Sequence, residues 1–429
     1  MKLISMKKDK YDLIKELMNS LYKKGVYKDF NSSNIMVFDL KSFTFTIAFT
    51  SIMEDRNYGM TIFVGHDGLN CLTDMMSLPK EVLFEGDYDN LYVLSYRGKD
   101  DLTIQEQMFY DERNIKTKLK NNLSITSYKR GYAPYITTTK EADEIIKALY
   151  LVNHVFNLTY DEIKEHFKNK SISGLLVDVN MHKHTFSLHF GGVPRLKEDS
   201  LKVVASSEEL NYFKELDVSD YSLNIRAHSV CIPVKIKDCN KAVTPTIILL
   251  GWPFSKFDFD YLISNISEQR EQMIIILKEF FKNNGIPSKI VFDNRYYYNA
   301  LRDIFEQLNV EVTLDLHLES DGFFDDIEDT LYRVFDPVFV DQAFITIPEE
   351  EARLSLNAIK RVLLTINTKN PNLECSEEEK ETVMAFINTI SNSINSLIND
   401  DMANFSDEEE EEIERYTKLK DDLEKNLVS

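Results

Sequence analysis

The sequence predicts an α+β domain over residues 1–158, a mixed connecting segment over 159–240, an α/β domain over 241–335 and a helical, acidic region over 336–429. Three observations lead there. Strand-like runs fill the first part and close on one long amphipathic helix. Strands and helices then alternate, as in βαβ units, and the remainder carries apolar stripes at helical spacing.

The first helix is "KYDLIKELMNSLYKKG", with Leu13, Leu17 and Leu21 on one stripe and Gly25 as its stop. "NIMVFDL", "FTFTIAFTSIM" and "YGMTIFVG" read as strands, the second alternating apolar residues with Thr as a half-covered strand does. "LNCLTDMMSL" reads as a helix, "LYVLSYRG" as a strand, "LTIQEQMFYDERN" as a polar helix and "LSITSY" as a further strand. Thr138 and Glu141 have capping-box spacing and open a long helix. The connecting segment holds the helices "LTYDEIKEHFKN" and "SSEELNYFKEL", with strand-rich "SGLLVDVNMHKHTFSLHFGGVPRL" between them. Two strands around Gly-Trp-Pro follow, then helix "ISEQREQMIIILKEFFKNNG", a strand, helix "YYNALRDIFEQL" and strand "VEVTLDL". Four helices complete the chain, two of them with capping boxes at Ser376/Glu379 and Ser406/Glu409.

At 429 residues the chain exceeds a single core. Its 71 acids against 50 bases give a net charge of −21, which disfavours bare nucleic acid in the absence of a basic cluster. Cys71, Cys231, Cys239 and Cys375 are scattered without a CxxC pair, so reduced thiols are expected rather than a zinc ribbon. The amino-terminal run turns charged early and no apolar run reaches membrane-spanning length. These features predict a cytoplasmic protein with no membrane span.

"IPSKIVFDNRYY" ends a strand on Asp293-Asn294, where metal-dependent nucleases keep catalytic acids. With Gly285, Pro287, Ile290, Asp293 and Asn294, the run resembles the "G-x-P-x-x-I-x-x-D-N-G" strand of retroviral-type integrases and transposases; Arg295 replaces the final glycine. That resemblance implies a ribonuclease H-like fold in which three carboxylates hold two divalent ions. The first acid should end the first strand, read as "TIILLGWP", yet that strand ends Leu250-Gly251-Trp252. The nearest acids are Asp258 and Asp260, and Glu328 lies at the distance expected of the third. One carboxylate cannot offset two divalent ions, so Asp293 is expected to cap the next helix and Asn294 to make the turn. The expected site therefore has no catalytic residue and no cofactor. The alternative is a metal-dependent nuclease using Asp293, Glu328 and Asp258 or Asp260 with Mg²⁺.

"SYKRGYAPYITTTKEADEIIKAL" resembles the "SYRPGYxPWxLTxEEA" run of an uncharacterised bacterial family through Tyr128, Gly131, Tyr132, Pro134, Tyr135, Thr138, Glu141 and Ala142. Val64, Gly65, Gly68, Leu69 and Leu72 match a second segment of that family. The resemblance implies an N-terminal α+β domain of unknown function joined to a ribonuclease H-like domain, also of unknown function. Some relatives carry a zinc-binding Cys-rich tail, but only Cys375 lies near the end here, so no metal role carries over.

Tyr128, Arg130, Tyr132 and Tyr135 form a candidate binding loop, since exposed tyrosines beside basic residues stack bases and touch phosphate. The plainer reading is a strand-to-helix turn, with Gly131 supplying φ freedom and Pro134 stiffness. His182, His184 and His189 are read as strand histidines, because a zinc site needs convergent ligands. No GxSxG, Walker A, GxGxxG or HExxH motif occurs. The expected function is a non-catalytic scaffold or interaction module with a protein partner. A third possibility is an acidic regulator whose helices from about residue 348 to 429, with Glu408 to Glu412, meet a basic partner.

Overall fold

The computed structural model describes residues 5–40, 44–51, 57–78, 85–168, 173–180, 183, 185–191, 205–237, 239–251, 257–318, 323–342, 346–368, 375–401, 418, 421 and 425. The chain divides into two compact units. One comprises Met1–Ser77, Tyr88–Arg130 and Pro134–Asp199; the other comprises Leu78–Asp87, Gly131–Ala133 and Ser200–Ser429. Both mix helices with sheet, in keeping with the expected α and β content.

In the first unit the elements run α1 (Lys8–Lys24), α2 (Val26–Asp29), β1 (Asn34–Asp39), β2 (Thr44–Thr50), β3 (Tyr58–Val64), α3 (Gly65–Ser77), β4 (Leu91–Arg97), α4 (Ile104–Glu112), β5 (Asn122–Tyr128), β6 (Tyr135–Ile136), α5 (Thr139–Lys168), β7 (Ser173–Asn180) and β8 (Thr185–Gly191). Their sheet has the order β6-β5-β4-β3-β2-β1-β7-β8, antiparallel except where β1 meets β7. Successive strand residues face opposite ways, so Met36 and Phe38 join the core under α1 and α5 while Ile35 and Val37 pack with Leu69 and Leu72 of α3. α1 stops as expected at Gly25, which takes φ 85°. The expected boundary at 158 falls inside α5. That helix kinks at Thr159 (φ −134°, ψ 21°), whose hydroxyl donates 2.8 Å back to the Val155 carbonyl.

The second unit runs α6 (Ser207–Lys214), β9 (Val218–Ser229), β10 (Val234–Lys235), β11 (Thr246–Gly251), β12 (Phe257–Leu262), α7 (Ile266–Asn284), β13 (Ile286–Phe292), α8 (Arg295–Glu306), β14 (Glu311–Leu314), α9 (Phe323–Gln342), β15 (Ile347–Pro348), α10 (Glu349–Thr368) and α11 (Glu377–Asp401). The main sheet is β12-β11-β9-β13-β14; β11 runs antiparallel to its neighbours β12 and β9, and β13 and β14 run parallel to β9. The expected connecting segment is therefore split, with β7 and β8 in the first sheet and β9 at the centre of the second.

Along β9, Leu223, Ile225 and Ala227 face a core built with Met273, Leu277, Leu301 and Phe305 of α7 and α8. β11 is apolar on both sides. Its Ile248 and Leu250 join that core, and its Ile247 and Leu249 face Ile327, Leu331, Leu356 and Ile359 of α9 and α10. Each such side chain, fully buried, is worth about 1.5–3 kcal/mol. Val383, Phe386 and Ile387 of α11 are buried in the same core as α10's Val362 and Leu363. The described apolar residues of α10 and of the first half of α11 thus pack together within the unit, one of the two outcomes such amphipathic helices allow. Glu408 to Glu412 lie outside the described residues.

Gly285 joins α7 to β13 at φ 78°, ψ 170°, a region only glycine occupies comfortably. A Cβ there would collide with Ser219 Oγ and lie 3.0 Å from the Asp217 carbonyl oxygen. Gly285→Ala should therefore lower stability by about 2 kcal/mol in urea denaturation. Adding Ser219→Gly should recover only part of the loss, because the backbone strain remains. A variant as stable as the native protein would refute this account.

Candidate functional site: a buried ion network at the end of β9

The described charged groups most deeply buried together sit where β9 and β13 end side by side. Parallel pairing sets Phe292 opposite Ile225, so Asp293 leaves β13 beside Ala227, whose amide donates to Asp293 Oδ1 at 3.2 Å. Arg226 and His228, two residues apart on β9, share the face turned to α9. There Phe324 lies 4.9 Å below the Arg226 guanidinium and meets the His228 ring edge-on at 4.9 Å. Arg226 Nε stands 3.6 Å from Asp293 Oδ2, and His228 Nε2 stands 2.8 Å from the same oxygen. Arg226 is almost wholly enclosed, at 1% exposure.

A second carboxylate faces the other ring nitrogen. Asp87 ends the short 3₁₀ turn Glu85–Asp87, which belongs to the second unit. Its Oδ2 lies 2.7 Å from His228 Nδ1 and accepts from Asn294 Nδ2 at 3.2 Å, while its Oδ1 accepts from the Ser229 amide at 3.2 Å. Only the imidazolium donates from both nitrogens. Burial opposes that charge, but the Asp293 and Asp87 carboxylates outweigh it and raise His228 to about 9. Gly86 lets the turn come this close, because a Cβ there would collide with the Ser229 carbonyl oxygen.

Asn294, not Asp293, caps α8: its Oδ1 accepts from the Tyr296 amide at 2.9 Å and its Nδ2 donates to the Ala227 carbonyl at 2.8 Å. This corrects the assignment of the cap to Asp293, whose carboxylate is drawn away by two cations on the neighbouring strand.

The other predicted acids lie elsewhere. Asp258 on β12 pairs across with Leu250, Leu250 with Ile225, and Ile225 with Phe292. Three strand spacings, about 14 Å, therefore separate its row position from β13. Asp260 pairs with Lys360 at 3.2 Å. Glu328 accepts from the Cys231 amide at 2.8 Å, beyond the end of β9. The structure thus does not bring Asp258 or Asp260 together with Asp293. Among the described residues, no group of three His, Cys, Asp or Glu side chains is disposed to hold a metal ion.

The tyrosines of the candidate binding loop have partners inside the protein. Tyr128 packs on the α3 side of the first sheet, its ring 5.9 Å from that of Tyr88. The Arg130 amide donates to Asp89 at 3.2 Å, and the Tyr135 hydroxyl donates to Glu141 at 2.5 Å. Tyr132 belongs to the second unit, where it packs on the core with Lys241 over its ring at 5.6 Å. The turn-and-cap reading also fits Thr138 and Glu141, whose reciprocal bonds (2.8 and 3.4 Å) open α5. On β8, His189 Nε2 lies 3.1 Å from Ser187 Oγ; His182 and His184 lie outside the described residues.

Sequence reasoning missed Arg226, His228 and Asp87. The alternation of Leu223, Ile225 and Ala227 with Asn224, Arg226 and His228 was the available signal for β9. Nothing local marked Asp87.

Residues 12–175 match the family model of a domain of unknown function, DUF7309. The match bears out an uncharacterised N-terminal domain and carries it beyond residue 158 into β7. No curated protein matches the chain. No helix among the described residues is long and apolar enough to cross a membrane.

Proposed function

We propose that this protein is a non-catalytic interaction scaffold. In this reading its second unit is a ribonuclease H-like domain whose metal centre has been replaced by internal ion pairs. Counted from β9, the sheet order is 3-2-1-4-5 with helices following the third, fourth and fifth strands. That arrangement supports the fold implied by the integrase-like run, and it makes β9, rather than β11, the first strand. The strand expected to end on the first acid then ends on Arg226 and His228.

The observation that carries the reading is the pairing of both cations with Asp293. A divalent ion needs several anionic ligands to replace its water, and this carboxylate already faces two positive charges. A fold does not transmit its family's chemistry when the site residues differ. The net charge of −21 favours a basic protein partner, with an association that weakens as salt screens the attraction.

The test is thermal unfolding with Mg²⁺ or Mn²⁺, alongside cleavage assays on single-stranded, duplex and hybrid nucleic acids. Neither ion should shift the melting temperature, since a ligand stabilises only what it binds, and no substrate should be cut. Random duplex DNA should not bind with sub-micromolar affinity at about 150 mM salt. A saturable metal shift abolished by Asp293→Ala, or metal-dependent cleavage, would establish the nuclease reading instead.

A further inference from the structure

We propose that Thr244, Ser264 and Gln269 of the second unit hold one buried water molecule, which ties the chain entering β11 to the amino-terminal end of α7. The three residues are 0%, 2% and 1% exposed. Each carries a buried polar atom, Oγ1, Oγ and Nε2 respectively, with no hydrogen-bond partner in the protein. A buried donor or acceptor left dry costs about as much as a lost hydrogen bond, so such groups are normally paired with protein or with ordered water.

Strand register sets the two hydroxyls on one side of the sheet. Thr246 pairs with Leu262 across β11 and β12. Carried two residues outward, that register puts Thr244 opposite Ser264, and the pleat turns both to the face on which Leu262 packs with Met273 and Leu277 of α7. Gly131 links Thr244 to Gln269. Its carbonyl accepts from the Thr244 amide at 3.1 Å, and a Cβ on it would stand 3.2 Å from Gln269 Nε2. A side chain there would crowd the carboxamide, and φ 76° favours glycine as well. The Tyr297 hydroxyl donates to Gln269 Oε1 at 3.1 Å, which leaves Nε2 to donate elsewhere. Two hydroxyls and a carboxamide carry no net charge to hold an ion stripped of its water. A water molecule can accept from Nε2 and donate to both hydroxyl oxygens, completing the roughly three bonds that buried water makes. The inference stands whether or not the unit is ribonuclease H-like.

The experiment is thermal unfolding of the full chain carrying Thr244→Val, Ser264→Ala or both, beside a high-resolution crystal structure of the native protein. Thr244→Val keeps the shape of the side chain and removes its hydroxyl. It should lower the melting temperature by about 3 °C, because the water loses a partner. Ser264→Ala should act in the same direction. The double variant should lose less than the sum of the two, since both hydroxyls serve one water. The crystal structure should show an ordered water within about 3.2 Å of Gln269 Nε2. A rise in melting temperature with Thr244→Val would overturn the proposal, because replacing a dry hydroxyl by a methyl group relieves an unpaired group. Strictly additive losses, or a crystal structure without water beside Gln269, would overturn it too.

Discussion

Asp293→Ala should destabilise the protein by about 3–5 kcal/mol, the range found when one partner of a buried ion pair is removed. The cost arises from what stays behind. Arg226 is 1% exposed and would lose the carboxylate 3.6 Å from its Nε. His228 would keep Asp87 but lose the acceptor 2.8 Å from its Nε2, and the Ala227 amide would lose its bond to Oδ1. Asp293→Asn should cost less, because the amide oxygen still accepts from Ala227. Combining Asp293→Asn with Arg226→Met should recover part of the loss, since an apolar replacement removes both members of the pair. Urea denaturation of the single and double variants provides the cycle. An Asp293→Ala protein within about 1 kcal/mol of the native value would mean that the network contributes little.

The second large effect is a dependence on pH. The folded-state value for His228, about 9, lies above its ordinary 6.5, so the folded protein holds this proton more tightly than the unfolded chain. Below pH 6.5 both states are protonated and the contribution is complete. As the pH rises, the unfolded state releases its proton first, and the contribution is lost progressively until the folded-state value is passed. Across that window the loss amounts to about 3 kcal/mol at 1.36 kcal/mol per unit. The described charged groups about the ring include Asp87 from the 3₁₀ turn and Asp293 from the end of β13, with Arg226 of β9 against the same Asp293 oxygen. Denaturation at pH 6, 7.5 and 9 should show a downward slope that His228→Gln flattens. Parallel slopes in the two proteins would assign the pH dependence to other groups.

Much of the fold was legible because its signals are local. The leucine stripe of α1, the stop at Gly25, the alternation along β2 and the Thr138/Glu141 cap each lie within one element, and periodicity and capping act over a few residues. The strand–helix–strand run from β11 to β14 was legible for the same reason. β9 was not. Its first half is polar and partly exposed, and its second half alternates apolar residues with Arg226 and His228, so its hydrophobic signal is short. Without β9 the first strand falls to β11, and the search for acids starts on the wrong strand.

The site was decided by tertiary structure alone. From the residues, Asp293 at the end of an apolar strand is equally a metal ligand, a helix cap or half of an ion pair, because all three ask for a carboxylate in the same place. What separates them is which charges lie within about 4 Å, where Coulomb energy in a low-dielectric interior reaches several kcal/mol. Here those charges come from positions 226 and 228, set beside Asp293 by strand register, while Asp87 meets the far side of the His228 ring from one close-packed glycine turn. Element types follow from short-range pattern, so the sequence reveals them directly. Charge balance in a buried site is a sum over residues far apart in the chain, and only the folded molecule performs that sum.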